Sequence, residues 1–273
     1  MGSEMCIRDR LWTIWITLAS PMAAVNMSCP ERSVMQSTPT DRRAQLVTWH
    51  LTDSALPTGG FSHSAGLETF IQSDEVSNPE SYAQWLHGYL RQASFNEALA
   101  VKFASELQHA SIDDVERVQQ LRRLDELMHA VQTPRQVRVS MNSMGKRMAK
   151  IAAIIAPDDL LVTEYAAALA DGRLKGNPGI AAGLALGSAG VTTHDAIAAY
   201  LLQLANSMTQ NAIRAIPIGQ DAGQRVLVGA YPVIEQAVEM TMRHDLSDLG
   251  SVAPRLEIAQ MAHEELRARM FMS

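Results

Sequence analysis

The sequence predicts an all-α fold, a compact single-domain helical bundle over residues 44–273, on three observations. Apolar residues recur at three- and four-residue spacing along nearly the whole chain, while strand alternation is hardly sustained anywhere. Recognisable caps and breakers divide that pattern into helix-sized pieces joined by short connections. Hydrophobic residues make up 47% of the chain but aromatic ones only 5%, with 15 methionines, a composition suited to Ala, Leu, Ile and Met filling helix seams. At 273 residues the chain can bury a sizeable core without disulfide staples.

Residues 1–43 are expected to be a leader that is disordered or not native to the domain. Arg8 and Arg10 precede the apolar run 11–19, which has the outline of a secretory signal. The run falls short of the roughly 20 apolar residues that span a bilayer. The preferred reading places the true start downstream, for instance at Met27, with the Ser-, Thr-, Pro- and Arg-rich stretch 28–43 as a flexible lead-in. Cys6 and Cys29 both fall in this leader and have no Cys or His neighbour at zinc spacing, so the domain itself is cysteine-free.

The run Asp53-Ser54-Ala55-Leu56-Pro57-Thr58-Gly59-Gly60-Phe61-Ser62-His63-Ser64-Ala65-Gly66-Leu67-Glu68 opens the domain as a dense cluster of small, polar and turn-forming residues. Pro57 fixes one backbone angle, Gly59-Gly60 permit positive φ, and Ser62 or Ser64 can cap the helix continued by Ala65, Leu67, Phe70 and Ile71. Ser77-Asn78-Pro79-Glu80 has the form of a capping box for a helix through Tyr82, Trp85, Leu86, Tyr89 and Leu90. Val115, Val118, Leu121, Leu124, Met128 and Val131 form one stripe. Thr133 and Pro134 serve as N-cap and first-turn proline of a helix that stops before Pro157. Asp158 or Asp159 caps the next, which ends near Gly172.

The turn Gly176-Asn177-Pro178-Gly179 introduces a helix over 180–190, where Gly183 and Gly187 lie four apart and permit close packing. Thr193 can cap a helix over 195–213, residues 219–244 supply another, and 251–271 the last. In that last helix Ile258, Met261, Ala262, Leu266 and Met270 share one apolar seam, which reads as a docking face.

A net charge of −6 and a pI near 5.7 exclude an electrostatic nucleic-acid surface. The eight histidines are scattered, His263-Glu264 lacks the second histidine of a zincin helix, and no metal cluster is legible. The Gly59-Gly60 loop lacks the Gly-Lys-Ser/Thr of a phosphate cradle, and no Gly-x-Ser-x-Gly elbow occurs. The enzymatic alternative is a helical metal-dependent hydrolase using His63 and Glu68; its weakness is that no further ligand clusters with them.

Four stretches in order resemble the UreF family of urease accessory proteins: the 53–68 run; Arg138, Ser140, Met144, Gly145, Lys146 and Arg147; Asn211-Ala212-Ile213-Arg214-Ala215-Ile216-Pro217-Ile218-Gly219-Gln220 with Gly223-Gln224-Arg225; and the end from Pro254 and Arg255 to Phe271. The resemblance spans about 46–273. It implies a helical, non-catalytic scaffold that joins a UreD/UreH-type protein and the GTPase UreG while nickel is delivered to apo-urease. It further implies a homodimer in the cytoplasm, no tightly bound cofactor, and nickel only in transit. No nucleic-acid or membrane contact is expected. Carried onto this sequence, the partner-binding positions are Pro57, Gly59, Gly60, Phe61, His63, Glu68, Lys146, Arg147, Gln220, Gln224, Arg225, Arg255, His263, Arg269 and Phe271. Two mild departures from the family pattern are Ala65, where glycine is common, and Met270, where leucine is.

Overall fold

In a computed structural model of the chain, residues 39–53 and 55–273 are described, and among them helices alternate with turns and no strand occurs. The expectations about the leader's signal-like run and its two cysteines lie outside these residues. The first helix, α1 (Pro39–Thr52), begins inside the expected lead-in, so residues 39–43 are helical.

Then come α2 (Leu67–Gln72), α3 (Pro79–Ala93), α4 (Glu97–His109), α5 (Asp114–Val131), α6 (Arg135–Ile155), α7 (Leu160–Ala170), α8 (Pro178–Ser188), α9 (Thr193–Ala215), α10 (Gly219–Gly229), α11 (Tyr231–Arg243) and α12 (Pro254–Ala262). Short 3₁₀ turns cover Gly60–Ser62, Leu246–Asp248 and His263–Glu265.

The bundle is built around α8. Every residue from Pro178 to Gly187 is buried, so this helix has no polar face, and it packs chiefly against α4 and α6, with α9 alongside. Glycine sets the approach distance: a Cβ on Gly183 would lie 2.5 Å from the Val101 carbonyl oxygen and 2.9 Å from Ala104 Cβ. The entry to α8 is equally tight. Asp125, 1% exposed, accepts hydrogen bonds from the backbone amides of Lys175 and Gly176 and from the Tyr165 hydroxyl. Asn177 Oδ1 then caps the helix by accepting from Gly179 N and Ile180 N.

Several boundaries move from their expected places for local reasons. The capping box on α3 joins Asn78 and Ser81, because Pro79 takes the first helical position and shifts the cap one residue past Ser77. Pro134 is itself the N-cap residue of α6, and Thr192 rather than Thr193 caps α9. Val115 is exposed, so the α5 stripe starts at Val118. The expected helix 219–244 is two helices, α10 and α11. Pro232 lacks an amide hydrogen and its ring opposes the carbonyl four residues back, so the chain turns at Ala230.

The largest correction is at the end. The expected helix 251–271 is only α12 and one 3₁₀ turn, followed by an irregular strap over 266–273 that returns across the domain. The strap's amides bond elsewhere: Met272 N donates to Ser62 O, and Met270 N and Phe271 N donate to the Glu68 carboxylate. Phe271 is 4% exposed. The continuous apolar seam through Leu266 and Met270 therefore does not form, and the segment packs on its own domain.

Candidate functional site

Loop 55–66, the strap, the first turns of α6 and the C-terminal part of α9 meet at one corner. Gly59 adopts φ +89° and starts the short turn that presents Phe61 to solvent. Gly60 lies over Met144, and a Cβ added to it would sit 3.8 Å from the thioether sulfur. Ser62 or Ser64 does not act as N-cap to α2: that position is Gly66, at φ +92°. Ser64 instead binds the strap, its amide and hydroxyl both donating to Ser273 O, at 2.5 and 2.9 Å. Ala65 sits at φ +52°, a left-handed conformation natural to glycine and strained for alanine.

Beneath the strap lies a buried polar cluster. His263, fully buried, places Nε2 2.8 Å from Glu68 Oε2 and Nδ1 2.8 Å from Gln136 Oε1. Glu68 Oε1 and Oε2 also accept from Met270 N and Phe271 N, at 2.5 and 3.1 Å. Its carboxylate is thus fully engaged in holding the strap. His63 Nδ1 lies 2.9 Å from Ser273 Oγ, which in turn accepts from Ser140 Oγ. Burial pushes the His63 imidazole below its usual range, and the nearby His263 adds to the shift, favouring the neutral ring.

From α9, Asn211 Nδ2 donates to His63 O, and Arg214 donates to Phe61 O and to Asn211 Oδ1. The Arg214 guanidinium also lies over the rings of Phe61 and Phe271, at 6.0 and 5.2 Å from their centroids. Arg147 on α6 donates from Nε to Pro57 O. On the outside Phe61, Met270 and Met272 are 61%, 61% and 67% exposed.

Nine of the sequence-derived positions thereby gather at this corner: Pro57, Gly59, Gly60, Phe61, His63, Glu68, Arg147, His263 and Phe271. Arg269 lies on the strap and is exposed, and Lys146 is exposed on α6 beside Arg147. Arg255, on α12, pairs with Glu75 and covers the Phe70 ring at 5.6 Å, a surface arrangement next to the corner. Gln220, Gln224 and Arg225 lie elsewhere: all three are exposed on α10, which packs against α9 and α3, and Arg225 lines a groove with His87. Sequence reasoning left Asn211, Arg214, Gln136, Ser140 and Ser273 out of the site. Asn211, Arg214 and Ser140 carried a signal, since they fall in the stretches that resemble the family, and the structure finds Asn211 fully buried on α9.

The described residues hold no group of three or more His, Cys, Asp or Glu side chains placed to bind a metal ion. No helix among them is long and apolar enough to cross a membrane. Behind the corner lies a partly open cavity of about 90 Å³, whose walls include His63, Ser140 and Ser273 together with Glu97, Tyr89 and Tyr200.

A model of the UreF family matches residues 76–231. Urease accessory protein UreF of Arthrobacter sp. strain FB24 is 42% identical over 230 residues, covering 84% of this chain and 97% of that protein. The UreF proteins of Corynebacterium glutamicum strain R and Bacillus sp. strain TB-90 are 39% and 37% identical, over 85% and 84% of this chain and 100% and 98% of theirs. The matched family segment carries the buried α8 and its packing partners, and the longer alignments extend over most of the domain. The chain belongs to the UreF family of urease accessory proteins.

Proposed function

We propose that the chain is a non-catalytic scaffold that joins a UreD/UreH-type protein and the GTPase UreG for nickel insertion into apo-urease, acting in the cytoplasm as a homodimer. The observation that carries this reading is the corner itself. Loop and strap are tied by backbone bonds at Ser62 and Ser64 and by the Glu68 carboxylate, yet Phe61, Met270 and Met272 are left on the outside. A rigid frame holding exposed apolar side chains beside the cations Arg147, Arg214 and Arg269 suits protein recognition more than chemistry. Lys146 and Arg147 would then face an acidic partner surface.

The hydrolase alternative draws nothing from this geometry. Glu68 is saturated by two amides and His263, and no further His, Cys, Asp or Glu among the described residues gathers with His63 into a group of three that could hold a metal ion. Nickel enters the proposal as cargo. Co-expression with UreD/UreH-type and UreG-type proteins tests it: the scaffold reading expects one co-purifying assembly containing all three. Recovery of the chain alone, with partners that assemble without it, would reject the reading.

A further inference from the structure

One face of α6 is charged against the balance of the chain. Between Glu126 and Asp158 the sequence holds five Lys or Arg and no Asp or Glu, whereas the whole chain carries 23 of the former and 29 of the latter. The buried side of the helix faces α8. Its solvent side presents Val139, Ser143, Lys146, Arg147, Lys150 and Ile154, all exposed and set at three- and four-residue steps. The turn before α8 crosses this helix so closely that a Cβ on Gly176 would lie 3.2 Å from Lys146 N, which sets the exposed Lys175 beside Lys146. Asp125, the carboxylate beneath the crossing, is 1% exposed and already accepts from Lys175 N and Gly176 N.

Arg135 and Arg138, nearer the helix start, are spent on Glu264 and on the carbonyls of Gln132 and Thr133. The ammonium groups of Lys146, Lys150 and Lys175 have no hydrogen-bond or ion-pair partner among the described residues, and Arg147 engages only its Nε, on Pro57 O. Cations four apart on a helix repel, so Lys146 and Lys150 work against the fold that carries them.

We propose that this face docks an acidic helix of the protein that seats on the corner, with carboxylates at four-residue spacing against Lys146, Lys150 and Lys175 and an apolar contact at each end, on Val139 and Ile154. This docking presupposes the scaffold reading and adds to it the place and the chemistry of one grip. The bond from Arg147 to Pro57 O joins the stripe to the loop that presents Phe61, so one partner spans both. From Val139 to Ile154 the stripe runs about 22 Å, or four helical turns, long enough to pair with a helix along its length. Its two apolar ends are 60% and 79% exposed and offer nothing to a chain of phosphates. A nucleic acid would also meet the repulsion of a chain of net charge −6 beyond the stripe.

The test is calorimetric binding of the full chain to its UreD/UreH-type partner in about 50 and about 300 mM sodium chloride. The wild type is expected to bind about tenfold more weakly at the higher salt. Lys146→Gln, Lys150→Gln and Lys175→Gln together should keep Tm near wild type, weaken binding about tenfold at low salt and flatten the salt dependence. Lys146→Arg, Lys150→Arg and Lys175→Arg together should bind as wild type does. An equal loss of charge elsewhere, Arg91→Gln, Arg123→Gln and Arg243→Gln on α3, α5 and α11, should leave affinity and salt dependence unchanged. A wild type that does not bind rejects the scaffold reading and the stripe with it. A wild type that binds, matched at both salts by the lysine-to-glutamine variant, refutes the stripe alone, and so does an equal weakening by the three arginine-to-glutamine changes. Capture of duplex DNA that depends on the three lysines, with partner affinity independent of them, overturns the proposal as well.

Discussion

Replacing Glu97 with glutamine should make the protein more stable, and the gain should depend on pH in a defined direction. The carboxyl's ordinary value of 4.5 is raised to about 7 in the folded protein, with burial the main cause. The native state therefore holds this proton more tightly than the unfolded chain does. Below 4.5 both states are protonated and nothing is lost. As pH rises from 4.5 through about 7, the unfolded state ionises first and the wild-type protein loses stability; above that window the loss is constant. The full difference corresponds to about 3 kcal/mol. Glu97 keeps part of its surface on the cavity, and water there solvates the carboxylate, so the expected gain for Glu97→Gln at pH 8 is about 1–2 kcal/mol. At pH 5 the gap should close to below about 1 kcal/mol. Urea melts of both proteins at pH 5, 6, 7 and 8 measure it. A pH-independent gap, or a glutamine variant less stable at pH 8 than at pH 5 relative to wild type, would refute the reasoning.

Other substitutions probe the frame around the corner. Gly145→Val should destabilise by about 2–3 kcal/mol or prevent folding, because a Cβ there would lie 2.3 Å from Asn177 N, a backbone atom of the tight turn before α8; a thermal melt decides. Ala65→Gly should stabilise by up to about 1 kcal/mol by relieving the positive φ, and an unchanged urea midpoint would show that no strain was stored. Glu68→Ala should cost at least about 2 kcal/mol, since it orphans the amides of Met270 and Phe271 and strips His263 of one partner. Hydrogen exchange at those two amides should accelerate, and retained protection would contradict the latch.

Helix class and most boundaries are legible because caps and stripes are local. The interior of the bundle is less so. Helix α4 is not marked by any one-sided stripe, for its residues are buried on almost every side, Lys102 and Ser105 included. The break between α10 and α11 is encoded in Gly229 and Pro232, whose turn chemistry outweighs the apolar period that continues through them. The strap was not readable. The three- and four-residue spacing of Ile258, Met261, Leu266 and Met270 is a valid helix pattern, and it loses to Glu68, 202 residues from Met270 in sequence, which takes the amides a helix would need. For the site, the ordered motifs led to nine residues that meet at one corner. The motifs could not separate those from Gln220, Gln224 and Arg225, which sit on α10 against α9 and α3. Nor could spacing show that Glu68 and His263 are partners in a latch.

The most direct test of the scaffold reading is partner capture by surface variants of the corner that leave the frame intact. Phe61→Asp and Met270→Asp alter side chains that are each 61% exposed, so far-UV helicity and Tm should stay near wild type. In co-expression with UreD/UreH-type and UreG-type proteins, the double variant is predicted to lose the UreD/UreH-type partner from the purified assembly and to leave urease without activation. Full recovery of the three-protein assembly and normal urease activation by the double variant would contradict the account.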